Sequence, residues 1–214
     1  MKKLVLAFAC SGLLMAGCGE KLDEMQKGME AAQQLAEKSG DMEKSMNEAQ
    51  EVYKARAAKG DTVAMPYKDL QAYLPSSISG YKVEGEPAGS QQSMGGFSMS
   101  QAQQKWVSES NPDASINVSI MDYGGTEGAY SLASLGFAMS FSSEDDQQRT
   151  ESLKSDVPTT SGVVKFDKVN KGSSLVMGTR YRYLITVESA GAQEDQTKML
   201  TDVGTEIAKK FEGK

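Results

Sequence analysis

The chain has 214 residues, with 23 basic and 29 acidic side chains, no histidine and two cysteines. Because histidine is absent, catalysis by Ser-His-Asp or Cys-His systems and zinc binding through histidine are excluded. The net charge is −6 and the sequence contains no basic cluster. Both features argue against a nucleic-acid partner.

The first 18 residues have the order of a bacterial export signal. Lys2 and Lys3 precede an apolar stretch over 4–14 that is too short to span a bilayer, and Met15-Ala16-Gly17-Cys18 follows directly. This last run resembles the bacterial lipobox, with methionine where leucine is commonest. The resemblance implies cleavage before Cys18 and acylation of its thiol, so that residues 1–17 are a signal peptide. The alternatives are an ordinary secretory signal with an incidental cysteine, or a short anchor that is never cut.

Acylation of Cys18 makes the lipid bilayer the first expected partner of the mature chain. Each buried methylene contributes about 0.8 kcal/mol, so two or more acyl chains anchor a protein stably. Gly19 follows the cysteine, where aspartate is the familiar inner-membrane retention signal, and this favours the periplasmic face of the outer membrane. Because Cys10 is lost with the signal, the mature chain is expected to have no free thiol and no internal disulfide.

Residues 18–60 are predicted to form an acylated, helical tether, since 20–59 are rich in Glu, Lys, Gln, Ala and Met and contain no proline. Gly40 separates two narrow apolar stripes. The first consists of Leu22, Met25, Met29, Ala32 and Ala36, and the second of Met42, Met46, Ala49 and Tyr53. Three interpretations stay open, namely a solvated tether, a coiled-coil or partner-binding helix, and an amphipathic helix on lipid.

Residues 61–214 are predicted to form one globular domain. A short helical turn around Leu70 comes first, and alternation of apolar and polar residues predicts strands over 81–86, 94–107, 114–122, 150–157, 163–169 and 174–187, the last divided at Gly178-Thr179. A helix is predicted over 126–142, and a second one from about Asp195, where one face carries Leu200, Val203, Ile207 and Phe211.

These elements predict an α+β fold. It is an antiparallel meander of six or seven strands, with the mid-chain and C-terminal helices packed on the sheet. The helical tether precedes this domain in the chain. The order of these elements looks like that of uncharacterised bacterial exported domains. It runs from a strand through an Asp-Tyr-Gly loop, a helix and a meander to the strand with Arg180-Tyr181-Arg182-Tyr183 and a closing helix. It also loosely resembles the α/β/α sandwich of the PsbP proteins, a resemblance that implies no catalytic residues.

Two short motifs resemble known chemical sites in part. The glycine-rich run from Asp122 to Gly128 lacks the spacing of a phosphate-binding loop, so it is interpreted as a turn from strand to helix. Ser79 and Lys82 match the S-x-x-K string of serine acylases, but that motif needs a helix, and Gly80 predicts entry into a strand instead. No cofactor and no metal site is predicted.

The leading functional hypothesis is a non-enzymatic, membrane-anchored periplasmic module that binds an envelope protein or peptide. The candidate binding residues are Gln104, Trp106, Arg180 and Arg182, and the expected surface is either the sheet face with Gln104, Arg180 and Arg182 or the methionine-striped helix. Trp106 is expected either in the core or capping a ligand groove. The alternatives are a carrier or chaperone for an apolar ligand held near Trp106 and Phe137, and a carboxylate- or serine-based hydrolase using Asp122 and Glu127.

Overall fold

The computed structural model describes residues 40, 43–124, 130, 142–192 and 194–212. The predicted signal peptide, Cys18 and the first stripe of the predicted tether lie outside the described residues, and so does the predicted helix over 126–142, apart from Tyr130 and Ser142. Tyr130 is helical and buried. Contacts group residues 39–214 into one compact unit.

The described residues form three helices and eight strands. The helices are α1 over 43–57, α2 (Tyr67–Gln71) and α3 (Thr197–Lys210). The strands are β1 (Tyr81–Met94), β2 (Phe97–Ser108), β3 (Ser115–Asp122), β4 (Ser143–Glu144), β5 (Gln148–Lys154), β6 (Thr160–Asp167), β7 (Ser173–Thr179) and β8 (Tyr183–Ala190). Among these helices, none has both the length and the apolar character that crossing a membrane requires.

The strands form one open sheet in the order β1-β2-β3-β8-β7-β6-β5-β4, and every neighbouring pair is antiparallel. The chain therefore makes a three-stranded meander, crosses to the far edge, and returns strand by strand until β8 pairs with β3. The α+β class with an antiparallel sheet is confirmed. The sheet has eight strands among the described residues where six or seven were predicted.

Alternation along the central strands separates a buried face from a more exposed one. In β3, Ile116, Val118 and Ile120 are buried and alternate with less buried residues, as their spacing predicts. Helix α3 covers this face because its apolar stripe is continuous: Leu200, Val203, Ile207 and Phe211 are all buried.

The prediction that residues 180–182 belong to a strand is wrong. The backbone has positive φ at Arg180 (56°) and Tyr181 (51°), and the Arg182 N–H donates to the Thr179 carbonyl over 3.2 Å. Two successive positive φ angles give a tight hairpin turn that suits the twist of paired strands. This turn joins β7 to β8 and places both arginines at the end of the sheet.

Candidate functional site

A buried ion-pair network lies at the end of the sheet where the β7–β8 turn meets the end of β3. Asp122, the last residue of β3, is 0% exposed. Its carboxylate accepts hydrogen bonds from Nε of Arg182 over 2.7 Å and from Nη2 over 2.9 Å. This two-point geometry holds the planar guanidinium in one orientation.

The segment that follows α1 completes this network. Nη1 of Arg182 donates to both carboxylate oxygens of Asp61 over 2.9 and 3.0 Å, and Nη2 donates to the Val63 carbonyl over 3.1 Å. The Met65 N–H donates to Asp122 over 2.8 Å. All three nitrogens of Arg182 are therefore occupied. We call Asp61, Asp122 and Arg182 the Arg182 network.

The electrostatics of the network favour a permanently charged arginine. Burial alone would lower the pKa of Arg182, but the hydrogen bonds and charge of Asp122 outweigh burial and hold this pKa above its usual range. Gly124 allows the close packing, because a Cβ at this position would lie 2.8 Å from the Ala64 Cα and 2.8 Å from Arg182 Nη2. The network thus attaches the 61–65 segment to the sheet.

Helix α1 contacts the same end of the sheet. Ala49 is buried, and the Tyr181 hydroxyl donates to the Glu48 carboxylate. Nη1 of Arg56 donates to the Gly124 carbonyl over 3.2 Å. Residues 43–57, which fall within the predicted tether, therefore touch the predicted globular domain. The domain boundary at residues 60 and 61 stays a prediction.

A cleft of about 610 Å³ lies between α1 and the loops that end β5 and β7. We call it the helix cleft. One wall is formed by α1 through Val52, Ala55 and Arg56, and the other by residues 157–159 and 179–183. Its volume falls within the range of about 300–1,000 Å³ that is typical of small-ligand sites.

The Tyr183 ring connects the helix cleft to an aromatic stack behind it. Tyr183 lines it and stacks on Phe211 at a centroid distance of 4.0 Å, and Phe211 stacks in turn on Tyr73 at 4.2 Å. Burial, followed by the charge of Asp122, raises the pKa of Tyr183 to about 12. The Tyr183 hydroxyl therefore stays neutral near pH 7.

Opposite charges are distributed unevenly in the helix cleft. Four cations line it, Arg56, Lys59, Arg180 and Arg182, against the two carboxylates of Asp61 and Glu212. Arg182 uses Asp61, and Arg180 donates to the main-chain carbonyls of Phe211 and Glu212 over 3.2 and 3.1 Å at the end of α3. Within the described residues, Arg56, Lys59 and Arg180 make no ion pair.

A second cavity of about 630 Å³ lies along the same helix. It shares Val52, Thr159 and Tyr181 with the helix cleft and extends toward Glu43 and Lys44. The contact between Tyr181 and Glu48 lies where these two cavities meet. One helix thus lines an extended depression in the surface.

The prediction that Gln104, Arg180 and Arg182 lie on one binding face of the sheet is wrong. Gln104 is 5% exposed, and its Nε2 donates to the carbonyls of Glu84 and Gly85 over 3.0 and 3.3 Å. These carbonyls lie at the β1 irregularity between Glu84 and Ala88, where the register with β2 shifts. Gln104 therefore satisfies backbone groups that the ladder leaves free.

Trp106 is 0% exposed and belongs to the hydrophobic core, so it does not cap an open groove. Phe137, its proposed partner in an apolar carrier site, lies outside the described residues. Of the four residues predicted to form a binding surface, Arg180 and Arg182 line the helix cleft, while Gln104 and Trp106 lie on the buried face of β2.

Ser79, Lys82 and Asp122, the candidate catalytic residues that the structure describes, lie in a turn and in two strands. Ser79 and Gly80 form a turn and Lys82 lies in β1, so this run enters a strand as predicted. Asp122, named for the hydrolase alternative, is held in the Arg182 network, and Glu127 lies outside the described residues. No cluster of three acidic side chains suited to a metal ion occurs in the part of the chain that the structure describes.

Sequence reasoning missed Arg56 and Asp61, which lie at the end of α1 and just after it. A local signal was present, since Arg56 and Lys59 follow Val52 at helical spacing and therefore share its face. The partner of that face was not predictable, because the turn at residues 180–182 is more than a hundred residues away along the chain.

Comparison with protein-family models, curated proteins and solved structures finds no match to this chain. The resemblances to lipobox proteins and to exported domains therefore stay predictions.

Proposed function

We propose that this protein is a lipid-anchored periplasmic module that binds an envelope protein or peptide in the helix cleft and carries out no reaction there. The observation that supports binding most strongly is the cleft itself. It combines an apolar and aromatic wall with cations that have no described carboxylate partner. Sites with a mostly apolar lining and a few convergent polar groups are the usual form of ligand pockets.

The anchor is proposed from the sequence alone. Acylation of Cys18 would attach the chain to the periplasmic face of the outer membrane, with residues 19–39 between the lipid and the described helix. Cys18→Ser is expected to move the chain from the membrane fraction to the soluble fraction after cell lysis. Full retention of the Cys18→Ser chain on membranes would contradict the anchor.

Binding in the helix cleft is tested by photo-crosslinking in cells. A small aliphatic diazirine amino acid placed at Ala55, an exposed residue that lines the cleft, is expected to give a discrete adduct with one partner, because this side chain is too slender to fill the cleft. The matched position is Val169, which is 68% exposed and lies outside the cleft lining. Identical adducts from the two positions, or none from Ala55, would overturn the proposed binding site.

A second pair of variants distinguishes blockage of the helix cleft from a general effect of the added side chain on folding. Ala55→Trp fills the cleft, whereas Ala58→Trp adds the same side chain at an exposed position just after α1 that is not part of the cleft lining. Ala55→Trp is expected to abolish capture of the partner by the anchored chain, and Ala58→Trp to leave capture unchanged. Equal capture by both variants would count against the cleft.

A further inference from the structure

The guanidinium of Arg56 is a half-buried charged group in the helix cleft whose donors are only partly used. Its Nη1 donates to the Gly124 carbonyl, but its Nε is buried and has no hydrogen-bond partner. Nη2 makes no hydrogen bond with the described residues. A buried donor without an acceptor is unfavourable by about 1–3 kcal/mol, and a ligand that supplies an acceptor to Nη2 would stabilise the same charged group.

The charge around Arg56 also favours an anion. Lys59 and Arg180 lie in the same lining without a described ion pair, and the carboxylate of Asp61 is already used by Arg182. Even with the carboxylate of Glu212 counted, cations outnumber carboxylates in the lining, so the cleft is locally positive in a chain of net charge −6. A concave, positively charged site raises the local concentration of anionic ligands.

The electrostatic environment of Arg56 supports the same conclusion. Burial, and then the nearby charge of Arg182, lower the pKa of Arg56 from its usual range. An anion beside the guanidinium would offset both effects, because it stabilises the charged form. The nearby carboxylates of Asp61 and Asp122 offset these effects only in part, and both are engaged by Arg182.

The neighbouring walls suit an apolar group of modest size. Val52 and Ala55 line one side and Val157 and Pro158 the other, with Tyr183 between them. The polar side chains of Thr159 and Thr179 interrupt this lining. Such a mixed, open wall fits a peptide end, with its amides and one apolar side chain, better than it fits a long alkyl chain.

We propose that the helix cleft binds the C-terminal carboxylate of a peptide whose last side chain is apolar, with Arg56 as the principal donor to that carboxylate. This inference rests on the proposed binding function and specifies its ligand. A planar carboxylate matches the fork of donors on a guanidinium, and such charge-assisted pairs are stronger than neutral hydrogen bonds.

The test measures binding of fluorescein-labelled tetrapeptides ending in Val, Leu or Phe to the full chain in lipid nanodiscs, with empty nanodiscs as the blank. Each peptide is used as the free acid and as the C-terminal amide. The free acid is expected to bind about 10-fold or more tightly than the amide, which is the ratio that a charge-assisted hydrogen bond provides. Decanoate serves as a competitor with the same carboxylate on an alkyl chain.

Three variants assign the effect to Arg56. Arg56→Gln is expected to bind the acid only as weakly as wild type binds the amide, and Arg56→Lys to lie between, since it keeps the charge and loses the fork. Lys54→Gln is the matched control, because it removes one positive charge from an exposed position on the same helix outside the cleft lining. It is expected to bind like wild type.

The outcomes separate this inference from the proposed function. Equal affinity for acid and amide, equal binding by Arg56→Gln and Lys54→Gln, or binding of decanoate without binding of the peptide acids would overturn the carboxylate assignment. No peptide binding together with a discrete adduct at Ala55 would overturn it as well, while the binding function stands. No peptide binding and no adduct would overturn both.

Discussion

Two arginines at the same end of the molecule differ in what surrounds them. Arg182 is 8% exposed, and its three nitrogens donate to two carboxylates and a main-chain carbonyl. Arg56 lines the open helix cleft, donates once to a main-chain carbonyl, and has a buried Nε without a partner. Both side chains touch the segment around Gly124.

The difference distinguishes a charge that stabilises the fold from a charge that can bind a ligand. A buried charge is tolerated when its donors are fully used, and removing one member of such a pair leaves the other charge unpaired. A guanidinium with unused donors in a cleft is instead a feature expected of a binding site. We therefore assign Arg182 to the attachment of the 61–65 segment and Arg56 to ligand binding.

The largest expected effect comes from removing the buried carboxylate of the Arg182 network. Asp122→Ala leaves Nε of Arg182 and the Met65 N–H without their acceptor and removes the buried counter-charge of Arg182, so we expect the free energy of unfolding to fall by about 3–5 kcal/mol. Urea unfolding followed by the fluorescence of Trp106, the only tryptophan, measures this loss.

The control for Asp122→Ala is Asp202→Ala. Asp202 pairs with Lys198 on the surface of α3, where the two side chains are 66% and 88% exposed. Such pairs contribute about 0–1 kcal/mol. Equal losses in the two variants would show that the Arg182 network behaves as an ordinary surface ion pair.

A smaller effect is expected from Gly124→Ala, which adds a methyl group between the network and the 61–65 segment. The new Cβ would meet the Ala64 backbone and Arg182 Nη2 at 2.8 Å, so the packing must shift. We expect the free energy of unfolding to fall by about 1–3 kcal/mol.

Gly172→Ala is the matched change for Gly124→Ala, since its nearest contact, the Ser189 carbonyl oxygen, would be at an ordinary 3.5 Å. This variant is expected to unfold at nearly the wild-type urea concentration. If Gly124→Ala were as stable as Gly172→Ala, the close packing described around Arg182 would be wrong.

The smallest effect concerns the contact of α1 beside the cleft. Tyr181→Phe removes the hydrogen bond to Glu48, and we expect the amides of residues 43–57 to exchange about 2- to 10-fold faster, in line with about 0.5–1.5 kcal/mol for one such bond. Hydrogen exchange by mass spectrometry measures the change. Unaltered exchange over α1 would mean that this bond does not hold the helix.

Alkaline pH tests the same contact without a mutation. Burial, followed by the hydrogen bond and the charge of Glu48, raises the pKa of Tyr181 from 10.0 to about 12. Because the folded pKa is the higher one, this contribution to stability is complete below pH 10 and is lost as the pH rises toward 12. The phenolate absorbance of wild type should exceed that of Tyr181→Phe only near pH 12, and a difference already complete near pH 10 would contradict the contact.

The sheet and the C-terminal helix were predictable because their signals are local. Ile116, Val118 and Ile120 alternate along β3, and the spacing of Leu200, Val203, Ile207 and Phe211 defines one helical face. These patterns reflect burial on a pleated strand and on a helix. All of these side chains are buried in the structure.

The position of the site was not predictable, because its parts are distant in sequence and one of them breaks a local rule. The alternating Arg180-Tyr181-Arg182-Tyr183 run predicts a strand, yet Arg180 and Tyr181 adopt positive φ, which is uncommon for residues other than glycine. Pairing of Thr179 with Tyr183 closes this turn. The turn brings Arg182 to Asp122 and Asp61, which lie 60 and 121 residues away.

The most direct test compares Arg182→Met with Arg56→Met in urea unfolding of the full chain. Removing Arg182 leaves two carboxylates without their cation, one of them fully buried, and is predicted to lower the free energy of unfolding by about 3–5 kcal/mol. Removing Arg56 breaks one hydrogen bond and also relieves a poorly solvated charge, so the predicted change is within about 1 kcal/mol. Equal losses in the two variants would contradict the division between a structural and a ligand-binding arginine.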